Sequence, residues 1–393
     1  MNRIYLDANS TTRLDERVQQ AMGELLADNY VNPASQHRPG QIARSRLERA
    51  RAELRQSLGA APGDRLLLTS GGTESNNLAL IGLARTWDDF GPETPEIIIS
   101  PIEHPSVLGA AAFLQSRGFL VHRLPVSGQG VVQIGALAEL LTPQTRLVSL
   151  MLANNETGVI QEVETAARIC AEVGVPLHCD AVQAVGKIPV HFGQLGVTAM
   201  TITAHKLHGP RGIGGLLVKE HVELQPIMFG GVQQLGLRPG TEDVALAGGF
   251  SLAVKLAVDE LAERSVRMAD FRDHFEARLV AEVPDLVIHG AAVDRAPHTS
   301  NLSFPGGGSN GTVNRQALMM AADADGVAIS TGSACTSGSS EPSHVLTAMG
   351  CNEAVIESSI RVSLSALTTA AEIDLAARRI INAVKRLRQQ KSR

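Results

Sequence analysis

Apolar and polar positions change rhythm along the chain. Val18, Met22, Leu25 and Leu26 recur at helical spacing and predict a helix over about 15–27. A charged, amphipathic stretch predicts a second helix over about 41–58. Short apolar runs then take over. Stretches 65–70, 97–100, 120–124, 146–152, 176–183, 199–203 and 213–218 read as strands, with helical stretches between them, one of them at 78–85. This alternation predicts an α/β fold with a mostly parallel, seven-stranded sheet in a large domain over 15–255. After about Val254 the pattern differs. A long charged helix (259–283) precedes short strands near 301–304, 328–331 and 360–365, a helix over 316–322 and a basic helix over 370–388. Together with a strand over 3–7, this half is expected to form a smaller α+β domain from 1–14 and 256–393.

Composition narrows the function classes. A formal charge of −5 offers no electrostatic footprint for nucleic acid or an anionic membrane. No apolar stretch approaches a membrane span and no signal-like segment opens the chain, so a cytoplasmic protein is expected. Cys170, Cys179, Cys335 and Cys351 show neither CxxC nor zinc-like spacing, which points to reduced thiols.

The chemistry-bearing residues gather at predicted strand ends, where open α/β sheets bind ligands. Thr73, His104, Asn155, Asp180, His205 and Lys206 all fall there. Strand, glycine pair, hydroxyl and helix (Gly71, Gly72, Thr73) is the recipe for a phosphate cup at a helix N-terminus. Lys206, in a Gly-lined turn, invites a Schiff base with an aldehyde, although alone it reads more readily as a loop lysine. Asp180 suits a pyridinium nitrogen, and His104 a ring face. Asn155 and Gln183 suit a phenolic oxygen or the substrate, and Thr203, His205 and Thr73 a phosphate. Together these residues specify pyridoxal 5'-phosphate. Arg361 in an apolar strand wants an anion, either an amino-acid carboxylate or a structural salt-bridge partner. Cys335 sits among Gly, Ser and Thr with nothing apolar to bury it, a setting for a nucleophilic thiol and sulfur chemistry. His205 and His208 have a spacing that would allow a metal, but the cofactor consumes His205, so no metal site is expected.

In order along the chain stand Leu6-Asp7 with Thr11-Thr12, Asn32-Pro33-Ala34-Ser35 with His37, and Thr69 through Asn76. Glu103-His104, Asn154 through Gly158, Asp180 through Gln183 and Ala204 through Pro210 follow. Arg238 through Thr241, Gly332-Ser333-Ala334-Cys335 and Ser359-Ile360-Arg361 complete the set. In these motifs the chain resembles the cysteine desulfurases, the NifS/IscS-like group of class V aminotransferase-fold enzymes. The resemblance implies a fold-type I pyridoxal-phosphate-dependent homodimer, with Thr241 reaching the partner subunit's phosphate. It implies that L-cysteine yields L-alanine and a persulfide on Cys335, carried on a mobile loop at about 330–342. Lys206 and His104 would handle protons, Asn155 and Arg361 would hold the substrate, and Gly72 would join the phosphate cup. The sulfur would pass to a protein acceptor, an iron–sulfur scaffold or a tRNA-thiolation relay. The departures from the family pattern are Arg13, Pro105, Gln234-Leu235 and the glycine-rich 306–311. A lyase or aminotransferase in which Cys335 is incidental, or a non-catalytic sulfur-carrier scaffold, are the alternative readings.

Overall fold

The computed structural model describes residues 3–28, 31–84, 93–307, 311–332 and 341–391. From the N-terminus come β1 (Ile4–Tyr5), α1 (Glu16–Asp28), α2 (Arg38–Ser57), β2 (Arg65–Thr69), α3 (Gly72–Ala84) and β3 (Glu96–Ile99). They are followed by α4 (Pro105–Ser116), β4 (Leu120–Arg123), α5 (Leu137–Leu140), β5 (Thr145–Ser149), α6 (Val163–Glu172) and β6 (Leu177–Asp180). Then come α7 (Phe192–Leu195), β7 (Ala199–Thr203), β8 (Gly214–Val218), α8 (Val244–Asp259), α9 (Leu261–Glu282) and β9 (Val287–Ile288). The chain closes through β10 (Thr299–Ser303), α10 (Arg315–Ala324), β11 (Val327–Ala328), α11 (His344–Ala348), α12 (Glu353–Glu357), β12 (Ser359–Ser363) and α13 (Ala370–Lys391).

The expected seven-stranded sheet forms in the order β2-β8-β7-β6-β5-β3-β4. The pairs β4–β3, β3–β5, β5–β6 and β6–β7 are parallel, whereas β8 runs antiparallel to both β7 and β2. Strands β6, β7 and β8 are buried along their whole length. Their unbroken apolar runs are what a sheet covered on both faces requires. Alternation decides which face each side chain serves: Leu66 and Leu68 enter one core, and Leu67 between them enters another. The antiparallel β8 brings Gly214 beside Thr69 and Thr203, so it closes the edge where β2 and β7 end.

A third cluster of buried apolar side chains joins Ile4 and Leu6 to residues from Met268 to Val384. Its strands form the antiparallel order β12-β10-β9, and β1 pairs in parallel with β11. Asp7 bridges to Ser363 and Ser330 to Arg361, tying the N-terminus and β12 into one layer.

Two elements differ from the sequence expectation. Helix α3 begins at Gly72, not near Leu78, because the Glu74 carboxylate caps the Ser70 amide at 2.6 Å and Thr69 and Ser75 hydroxyls meet at 2.8 Å. The long charged helix expected over 259–283 is preceded by a separate one, α8, and the two meet at Glu260 (φ −99°, ψ 10°). Near the sheet edge, Gln234 and Leu235 adopt left-handed φ of 51° and 62°. The Gln234 amide then imitates a neighbouring strand. Its Oε1 accepts from the Leu68 amide at 2.7 Å and its Nε2 donates to the Leu68 carbonyl at 2.8 Å. This satisfies the otherwise open edge of β2.

Gly214 is required where it stands: a Cβ there would lie 2.7 Å from the Gly71 carbonyl carbon and 2.8 Å from its Cα. Both are backbone atoms and cannot rotate away. Gly214→Ala is expected to destabilise the protein by about 1–3 kcal/mol, read as a lower denaturation midpoint. An unchanged midpoint would show that the Gly71 turn shifts without cost.

Candidate active site

Strand ends deliver the predicted residues to one cavity of about 220 Å³. Gly72, Thr73, His104, Asn155, Asp180, Gln183, Thr203, His205, Lys206 and Arg361 all line it. Gly72 and Thr73 open α3, so its unpaired amides face the cavity with the positive end of the helix dipole. Asp180 ends β6 and Thr203 ends β7, and a single 3-10 turn (Ala204–Lys206) carries the lysine in. Thr241 is exposed and lies outside this cavity. Cys335 lies outside the described residues.

Lys206 Nζ donates to the carbonyls of Asn9 and Ser10, the latter at 2.7 Å. His205 approaches Thr11 Oγ1 through Nδ1 at 3.2 Å, and its carbonyl accepts from the amide and hydroxyl of Thr12 at 2.9 Å each. Burial, then the charge of Lys206, lowers the His205 imidazole to about 4. It therefore stands neutral near pH 7.

Asp180 is 4% exposed and held from two sides. Its Oδ1 accepts from the Val182 amide at 3.0 Å and its Oδ2 from Asn76 Nδ2 at 2.8 Å. Asn76 Nδ2 also donates to Ser106 Oγ at 2.8 Å, and Ser106 Oγ lies 2.7 Å from His104 Nδ1. The Ser106 amide, which can only donate, reaches the same Nδ1 at 3.2 Å. Nδ1 is thus an acceptor, and the proton of the neutral ring sits on Nε2. Burial lowers the His104 pKa, opposed by Asp180. His104 is also the N-cap of α4, which makes Pro105 its first helical residue, a position where the missing amide costs nothing. Glu103, fully buried, keeps one Oε1 contact to the Met151 amide at 2.8 Å. Burial first, and the charge of Asp180 second, push its carboxyl well above the usual range.

Arg361 is 3% exposed and forms the salt bridge that the sequence left open as one alternative. Nη2 donates to Asp7 Oδ1 at 2.8 Å and Ser10 Oγ at 2.9 Å, and Nη1 to the carbonyls of Asn155 at 3.0 Å and Gly332 at 3.4 Å. Among the described residues its Nε has no partner, and neither do Asn155 Oδ1, Gln183 Oε1 and Asn76 Oδ1, all in buried residues that line the cavity. Gly332, with φ 84°, is the last described residue before Cys335, and a Cβ on it would meet Glu156 Oε2 at 2.9 Å. Beyond the undescribed stretch, Ser343 Oγ donates to Glu156 at 2.6 Å and His344 Nε2 to the Glu103 carbonyl at 2.9 Å.

Sequence reasoning missed Asn9, Ser10, Asn76 and Ser106. Asn9 and Ser10 stand in the polar cluster that follows the first strand, and Asn76 falls one turn behind Gly72–Thr73. Both signals were present, but their partners are distant in sequence. Among the described residues no group of three or more His, Cys, Asp or Glu could hold a metal ion. No helix among them is long and apolar enough to cross a membrane.

An amine at a strand end, a buried carboxylate, a neutral imidazole and a helix N-terminus around one cavity define an enzyme site built for a pyridine aldehyde bearing a phosphate. Comparison with known proteins agrees. The aminotransferase class-V family matches residues 4–375. The chain is 36% identical over 388 residues to the cysteine desulfurase NifS of Azotobacter vinelandii, covering 99% of this chain and 94% of that one. It is 38% identical over 392 residues to a cysteine desulfurase of Sinorhizobium fredii, covering 100% and 99%. A solved NifS-like protein superposes with a TM-score of 0.89 at 34% identity, covering 98% of this chain and 100% of that one. The chain belongs to the aminotransferase class-V family, among its cysteine desulfurases, whose cofactor is pyridoxal 5'-phosphate. The cavity fits that group: its unpartnered amide oxygens and buried Asp180 await polar partners, and Gly72 leaves the α3 amides open.

Burial also lowers His178, His208 and His289 to about 4, as it does His205. Their ordinary value of 6.5 governs the unfolded chain. Folded values below unfolded ones mean that this stability is complete above pH 6.5 and lost as pH falls through about 4. Urea midpoints are expected to hold from pH 8 to about 6.5 and then drop steeply toward pH 4. A flat profile across that window would contradict the buried neutral rings.

Proposed function

We propose that this enzyme takes sulfur from L-cysteine, giving L-alanine and a persulfide on Cys335. The observation that carries the reading is the convergence of Lys206, Asp180, His104 and Arg361 on one cavity, with the chain entering the Cys335 stretch from Gly332, in contact with Arg361. Lys206 would hold the cofactor through its aldehyde, and Asp180 would pair with the ring nitrogen. His104 would cover the ring face, and Asn155 and Gln183 would offer amides to the ring's oxygen. Gly72, Thr73, Thr203 and His205 would hold the phosphate, and Thr241 would reach that of the partner subunit. When bound, pyridoxal phosphate supplies an electron sink conjugated to the substrate's α-carbon.

The protein's own residues do the rest. Arg361, with Asn155 beside it, orients the substrate carboxylate. Lys206 Nζ takes the proton from Cα. The Cys335 thiolate attacks the substrate sulfur: the new S–S bond forms as the carbon–sulfur bond breaks, and the electron pair stays with carbon. His104 Nε2 gives its proton to the methyl carbon and then takes up the one released from the substrate thiol. Thiol plus cysteine becomes persulfide plus alanine, and no outside oxidant is required.

A homodimer is supported by the exposed apolar run of Met228, Phe229, Val232 and Leu235 just before Thr241, with Phe229 78% and Val232 89% exposed. The division into a large unit over 15–255 and a smaller one from 1–14 and 256–393 is supported by the buried cluster that joins Ile4 and Leu6 to Met268 and beyond. A protein sulfur acceptor, an iron–sulfur scaffold or a thiolation relay, completes the reaction. Free thiols at Cys170, Cys179 and Cys351 support the cytoplasm as its setting.

Lys206→Ala is expected to lose the visible absorbance of the bound cofactor, while Cys335→Ala keeps that absorbance and loses sulfide release from cysteine in the presence of a thiol reductant. His104→Gln should keep the absorbance and slow alanine formation by about 10²–10⁴-fold. Sulfide release that survives Cys335→Ala would overturn the persulfide route.

A further inference from the structure

A second, smaller cavity of about 20 Å³ shares Lys206 with the first and is bordered by Lys187, His208, Arg264, His298 and Ser365. Lys187 is 7% exposed, and among the described residues its Nζ has no hydrogen-bond partner. His298 is 2% exposed, and among the described residues neither of its ring nitrogens has one. The other cations on the lining are engaged. Lys206 donates to two carbonyls, and Arg264 pairs with Glu260 at 2.5 Å and lies 4.0 Å from Asp15. Among the described residues no carboxylate borders the space. A void of this size takes one water-sized occupant. A water would satisfy hydrogen bonds but leave a buried ammonium without a counter-charge, which is costly. An anion removes that charge and accepts from both Lys187 and an imidazole N–H.

We propose that this cavity binds one small monatomic anion, a halide, between Lys187 Nζ and the His298 ring. It would lie at the seam between the sheet core, which Lys187 adjoins, and the cluster of Met268 and Leu364, which also line the space. The site does not depend on the desulfurase reading. Burial, then the charge of Lys206, draws Lys187 down to about 7, and burial, then Lys187, draws His298 well below its ordinary value. A halide selects the protonated Lys187 and holds it charged. The charged and titratable groups facing the space are Lys187 from the turn after β6, and Lys206 and His208 from the turn after β7. Arg264 faces it from α9, backed by Glu260 and Asp15, and His298 from the segment before β10. Of these, Lys187, drawn down to about 7, changes charge within the working range, so halide affinity should fall about tenfold per pH unit above its pKa.

Holoenzyme crystals soaked in bromide should show an anomalous peak touching Lys187 Nζ and His298. Holoenzyme dialysed into gluconate and titrated with bromide at constant ionic strength should gain about 2–4 °C in its thermal midpoint. The gain should shrink from pH 6 to pH 9 and vanish in Lys187→Met. The wild-type pH series carries the test on its own if that variant does not fold. An ordered water only in the cavity, bromide bound only elsewhere, or a gain that persists in Lys187→Met would overturn the proposal.

Discussion

The site depends most on one carbonyl, that of Asn9. It accepts at once from Lys206 Nζ and, at 3.0 Å, from Gln183 Nε2. The same residue's Nδ2 reaches the Asn155 carbonyl at 3.1 Å and Thr299 Oγ1 at 2.9 Å, and its amide reaches Ser363 Oγ at 3.0 Å. Asn9 therefore ties the end of β7, the loop after β5, β10 and β12 to one short segment. That segment follows β1, and Ile4 of this strand and Leu6 just after it are buried with the C-terminal cluster rather than with the sheet. The lysine and arginine of the site are thus set relative to each other by hydrogen bonds to a polar loop that an apolar strand anchors. Because these groups are buried, each lost contact would leave an unsatisfied donor or acceptor.

Burial gives the residues different electrostatic roles. The rings of His104 and His205 are shifted toward the neutral form, and Glu103 toward its protonated form, all chiefly by desolvation. Asp180 meets only neutral donors at its two oxygens, from Asn76 and Val182. The chain Asp180–Asn76–Ser106–His104 links the buried carboxylate to the imidazole through neutral groups. His104 is thereby oriented by groups that carry no charge.

Much of this was legible in the sequence. Apolar runs gave the seven strands because a sheet covered on both faces needs continuous hydrophobicity. The strand-end rule then collected Thr73, His104, Asn155, Asp180, His205 and Lys206, and an arginine in an apolar strand singled out Arg361; all of them line the cavity. What stayed hidden depended on contacts between distant positions. Asn9 looked like one more polar turn residue, since nothing local reveals that its carbonyl meets Lys206. Gln234 looked like a departure from a family pattern, yet its amide completes the edge of β2 through a left-handed turn. The start of α3 was placed too late because glycines have poor helix propensity. The Glu74 cap and the Thr69–Ser75 contact override that preference.

The central claim is that sulfur leaves cysteine on Cys335 while Lys206 and its neighbours hold the substrate. Mass spectrometry of the holoenzyme, alkylated after brief reaction with L-cysteine and digested, tests it most directly. The account predicts one additional sulfur atom on the peptide bearing Cys335, and none on those bearing Cys170, Cys179 or Cys351. Alanine formed with no sulfur added at Cys335, or with the added sulfur on another cysteine, would contradict it.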